Sequence, residues 1–131
     1  MNRNIVITAV LCFAILTGCD NSQRSRAYKF QQMAEKINRN CPTRMSETIM
    51  LDSARYNAEA NSISYFYSVS GVLDDADYMT THYIAFKQAL QEAIDNSVEM
   101  EEYRKANTSI HYIYHSDLNK EQLAEFSFNI H

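Results

Sequence analysis

The stretch Ser62 to Ser70, SISYFYSVS, decides the fold class. Ile63, Tyr65, Tyr67 and Val69 alternate with Ser62, Ser64, Phe66, Ser68 and Ser70. A period of two is the signature of a strand with one buried face, so one side is apolar and aromatic. The other side is serine with Phe66 in its middle. Upstream, Thr48 to Tyr56 reads as a second, less regular strand, with Ile49 and Leu51 on one face and Asn57 to Asn61 as the connection. Downstream, Ser109 to Ser116 returns to period two: Ile110, Tyr112 and Tyr114 share one face, and His111, Ile113 and His115 the other. Phe126, Phe128 and Ile130 alternate with Ser127 and Asn129 in a last expected strand, after a turn at Asp117 to Lys120.

Two helical patterns frame these strands. Ala27, Phe30, Met33, Ala34 and Ile37 recur at three- and four-residue steps, predicting an amphipathic helix from Ser25, a candidate N-cap, to about Asn38. Asn40-Cys41-Pro42 ends it, because the residue before proline avoids helical angles. Met79, Tyr83, Phe86, Leu90, Ala93 and Ile94 form a second stripe, predicting a helix from about Asp77 to Asn96 that continues or restarts to Lys105. The expected order is α-β-β-α-β-β. This gives an α+β domain: a four-stranded antiparallel sheet covered by one long helix, with the N-terminal helix beside it. Its exposed face should carry Ser64, Phe66, Ser68, His111, Ile113 and His115, a candidate interaction surface.

Composition narrows the classes. The chain has 131 residues, enough for one modest core. With two glycines and one proline, few tight turns are available, which argues against a barrel or sandwich of many short strands. Nine tyrosines and no tryptophan suit half-buried strand positions with wet hydroxyls. The formal net charge is −4, yet it is unevenly placed. Arg24, Arg26, Lys29, Lys36, Arg39 and Arg44 face the single acid Glu35, whereas fourteen acids face five bases from Met45 onward. Such a basic segment usually meets an anionic surface. Nucleic acid is excluded as that surface by the acidity of the whole.

The first residues read as an address. Met1 to Asn4 is a short basic start, and Ile5 to Leu16 is an apolar run broken only by Thr8. At 1.5 Å per residue it reaches about 18 Å, short of the roughly 30 Å of a bilayer core. Leu16-Thr17-Gly18-Cys19 follows and resembles the lipobox of bacterial lipoproteins. That resemblance covers about the first 20 residues. It implies cleavage before Cys19, a thioether-linked diacylglycerol on its sulfur, and acylation of its new amine. Residues 1–18 are then the leader, 19–25 the lipidated cysteine and a short tether, and 26–131 one small α+β domain. The resemblance also implies attachment to a bacterial membrane, facing the periplasm or cell exterior. Asp20 and Asn21, directly after the cysteine, look like the enterobacterial signal for retention in the inner membrane.

Cys12 leaves with the leader and Cys19 is consumed by lipid, so Cys41 remains alone. It is a small buried hydrophobe, a thiol for an intermolecular bridge, or a reactive nucleophile. Asp74, Asp75 and Asp77 lack the spacing of a calcium loop and instead favour the start of the following helix. His111 and His115, four apart on a strand, sit about 13 Å from each other, too far for one metal ion. His82 could join Asp75, Asp77 or Cys41 only through tertiary contact. No catalytic motif, metal site or cofactor is expected. The leading expectation is a non-enzymatic, protein-binding envelope lipoprotein, partnered by membrane lipid through Cys19 and by another envelope protein. The alternative is a small-ligand or thiol-dependent module built on Cys41.

Overall fold

The computed structural model describes residues 22–129, so the leader, Cys19, Asp20 and Asn21, and Ile130 of the last expected strand, lie outside them. Helix α1 spans 22–39. Strands β1 (Thr43–Arg44), β2 (Ile49–Asn57) and β3 (Ser62–Val69) follow. A single 3₁₀ turn at Gly71–Leu73 leads to helices α2 (Ala76–Thr81), α3 (Tyr83–Asn96) and α4 (Glu101–Lys105). Strands β4 (Ser109–Ser116) and β5 (Gln122–Phe128) close the described fold.

The expected four-stranded antiparallel sheet is corrected on two counts. Five strands pair in the order β1-β2-β3-β4-β5, and β3 runs parallel to β4 while every other neighbour is antiparallel. The expected order α-β-β-α-β-β also lacks β1 and the breaks between α2, α3 and α4. The reason for the parallel pair is the crossover. Strand β3 is eight residues long and α3 fourteen, so the helix carries the chain back about 21 Å against about 26 Å of strand. Strand β4 therefore starts at the end where β3 started, and a helical crossover of this kind joins parallel strands. The pairing sets Ser62 against Ser109, Ile63 against Ile110, Tyr65 against Tyr112 and Tyr67 against Tyr114. Like side chains thus oppose each other across the seam.

All helices pack on one side of the sheet. Phe30 and Ala34 of α1, Met79, Ile94 and Tyr103 meet Tyr56, Ile63, Tyr65, Ile110, Tyr112, Phe126 and Phe128 in one buried cluster. The long stripe is broken at His82, whose backbone caps both α2 and α3, and Ala93 is exposed rather than packed. Asp75 caps α2, its carboxylate accepting from the Tyr78 amide at 3.0 Å, which is the helix-start role its position suggests. Ser25 lies inside α1 and caps nothing, since the helix already runs by residue 22.

Strand β1 reaches only Met50 and Leu51 of β2. Beyond it, Asn38 takes over as a substitute strand: its amide donates to the Ala54 carbonyl at 2.9 Å and accepts from the Ala54 amide at 2.7 Å. Asn38→Ala leaves both groups of a buried backbone unit unpaired. It should cost about 1–3 kcal/mol, read as a lowered urea midpoint with unchanged slope.

Candidate interaction face

The face of the sheet that no helix covers is built in three rows. Arg55, Ser64, His111 and Ser127 form one, and Ser53, Phe66, Ile113 and Glu125 the next. The third runs from Met50 through Ser68 and His115 to Gln122, past irregularities in β2 and β5. Period two sends these side chains away from the core, and parallel pairing of β3 with β4 puts Ser64 beside His111, Phe66 beside Ile113 and Ser68 beside His115. The six residues singled out from the sequence therefore occupy two adjacent strands. All six are half-buried by one another and their flanks. At the centre is an apolar pair, Phe66 and Ile113, with hydroxyl and imidazole groups around it.

Several neighbours on this face were missed in the sequence. Asp52 sits at the register shift of β2 and accepts a 2.5 Å hydrogen bond from Ser68. Glu125 and Ser127 lie on β5, which begins four residues earlier than the alternation of Phe126 and Phe128 suggests. His111 Nδ1 lies 2.8 Å from Ser127 Oγ and 3.7 Å from Glu125 Oε1. Serine and glutamate thus meet the same ring nitrogen, whereas a catalytic relay needs the acid on one nitrogen and the nucleophile on the other. The group holds His111 in place and does not activate Ser127. Among the described residues no group of three or more His, Cys, Asp or Glu could hold a metal ion.

His82 is occupied elsewhere. Its Nδ1 meets the Tyr78 carbonyl at 2.9 Å and its ring stacks on Tyr78 at 4.1 Å. Cys41 itself is free and half-buried.

On the helix side, Tyr65 stacks on Tyr112 at 5.5 Å and Tyr67 on Tyr114 at 4.9 Å. Tyr65, Tyr67 and Tyr112 floor a cleft of about 500 Å³ between α1 and α4, flanked by Met33, Ile37, Leu51 and Met100. Neither Cys41 nor any histidine lines it. Burial pushes the hydroxyls of Tyr112 and Tyr114 up to about 12. It raises those of Tyr65 and Tyr67 as well, with the neighbouring tyrosines adding to the effect.

The geometry defines a class: a mixed five-stranded sheet with helices on one face and a bare opposite face. Two solved structures share this fold. One is a Pseudomonas aeruginosa protein described as secreted, with TM-score 0.64 and 14% identity, the match covering 79% of this chain and 92% of that one. The other is the type II secretion system pilotin AspS from Vibrio cholerae, with TM-score 0.61, 10% identity, and coverage of 85% and 94%. The chain belongs to the family described as a domain of unknown function, DUF8479, which matches residues 17–124. No curated protein matches it.

Proposed function

We propose that this protein is a membrane-tethered accessory module of the bacterial envelope that acts by binding another envelope protein through the bare face of its sheet. The observation that carries this reading is the pairing of Phe66 with Ile113 on neighbouring strands, ringed by Ser64, Ser68, His111 and His115, with no helix above them. An apolar centre inside a polar rim is the anatomy of a protein interface. Support for the envelope comes from two sides. The lipobox-like Leu16 to Cys19 calls for acylation, and the fold is shared with a pilotin of a secretion system. Two or three acyl chains at about 0.8 kcal/mol per buried methylene make such a tether effectively permanent. Asp20 and Asn21 favour the inner membrane, with the domain in the periplasm.

The test is crosslinking in intact cells of the native host, followed by identification of the captured envelope proteins. Phe66→Ser and Ile113→Ser should each abolish the specific crosslink while moving Tm by only a few degrees, since neither residue belongs to the core cluster. A crosslink that survives both substitutions rules out this face. Mass spectrometry of the purified protein tests the anchor separately: the mature chain should begin at Cys19 and carry diacylglycerol.

A further inference from the structure

We propose that the solvent face of α1 lies flat on an anionic phospholipid surface, held by Arg24, Lys36 and Arg39 with Tyr28 at the level of the head groups. At 3.6 residues per turn, Arg24, Tyr28, Lys29, Gln32, Glu35, Lys36 and Arg39 fall within about 140° of the helix circumference. All seven are exposed, and Tyr28 is 67% exposed. The opposite side buries Phe30 and Ala34 in the core, so the orientation of this ridge relative to the body is fixed. Lys29 is engaged, 3.0 Å from Glu102 of α4. Arg24, Lys36 and Arg39 form no ion pair among the described residues, and Glu35 is the one acid in the arc.

Charge complementarity identifies the occupant. The chain carries a net charge of −4, so a cationic ridge here is a local feature, of the kind that attracts acidic lipid head groups. Tyr28 stands out among these cations, and tyrosine is enriched where hydrocarbon meets water. The ridge also begins near the expected anchor, since the described helix starts three residues after Cys19. Nearness to a bilayer rests on the tethering reading above; affinity for anionic lipid does not. With α1 against the lipid, the sheet turns its bare face outward, where a partner can reach it.

The chain contains no tryptophan, so Tyr28→Trp introduces a unique reporter into the full, acylated protein. The probes are vesicles of phosphatidylcholine alone and vesicles with one part phosphatidylglycerol to two of phosphatidylcholine, each with and without brominated acyl chains. In the anionic vesicles the indole emission should shift to the blue and be quenched several-fold more than in neutral ones. Molar salt, which cuts the screening length to about 3 Å, should erase the difference, as should Arg24→Gln, Lys36→Gln and Arg39→Gln combined. Arg55→Trp, on the bare sheet face, should show no quenching in either. Equal emission in both vesicles, salt-resistant quenching, or equal quenching at position 55 would overturn the proposal. Flotation with neutral vesicles reads the anchor on its own. A protein that fails to float there but shows salt-sensitive quenching on anionic vesicles refutes the acylation and leaves the helix contact standing.

Discussion

Phe30→Ala is expected to destabilise the domain by about 3–5 kcal/mol, enough to lower Tm by roughly 15 °C or more. The side chain is 1% exposed. Its ring meets Tyr56 edge-on at 5.3 Å and Tyr103 at 4.8 Å, so it joins α1, the outer part of the sheet and α4. Truncation removes the buried apolar surface and opens a cavity walled by two large rings that cannot close over it. The rest of α1 offers little to compensate: Ala34 is the other buried residue on the helix, with Met33 and Ile37 only partly covered. A small domain has about 5–15 kcal/mol in total, so the variant should sit near the edge of folding. Thermal unfolding followed by circular dichroism measures it; a fall in Tm of under five degrees would mean that α1 is held mainly by Asn38 and its polar contacts.

A loss of structure on the alkaline side, between about pH 10 and pH 12, is the second large effect. Tyr65, Tyr67, Tyr112 and Tyr114 line one stack, and burial raises all four hydroxyls above the ordinary value of 10.0. Below that value the hydroxyls are protonated in both folded and unfolded chains and the linkage contributes nothing. Above it the unfolded chain releases protons that the folded chain retains. The folded state then binds more protons, so stability falls as pH rises. The fall continues through about 12, where Tyr112 and Tyr114 themselves ionise. Absorbance of tyrosinate near 295 nm should therefore rise together with the loss of far-ultraviolet ellipticity, in one cooperative step. Gradual titration of these rings with the fold intact would show that the stack is open to water. Tyr112→Phe, which keeps the ring and removes one hydroxyl, should move the midpoint to higher pH.

The candidate face was legible in the sequence because side-chain direction along a strand is a local property. Serine, phenylalanine and histidine at alternate positions of Ser62 to Ser70 and Ser109 to Ser116 must leave the core if the isoleucines and tyrosines enter it. Their adjacency was not legible in that way, since it depends on which strands pair. One signal was present: Ser-Ile-x-Tyr-x-Tyr occurs at both 62–67 and 109–114, and the parallel register sets these copies side by side. Asp52, Glu125 and Ser127 were hidden for other reasons. A bulge shifts the alternation at Asp52, and Leu123-Ala124 blurs the start of β5.

Local chemistry alone marked four of the five strands and the two helical stripes, where α1 ends, and which side of β3 and β4 turns inward. Those outcomes follow from repeats of two and 3.6 residues and from proline's restriction of its neighbour. Tertiary structure decided that β3 and β4 run side by side in the same direction, that the helical stripe breaks at His82, and that the short β1 joins the sheet. Such choices turn on how far a crossover carries the chain and on which backbone groups are left to pair. Contacts between residues distant in sequence set both, and no window of neighbouring residues contains them.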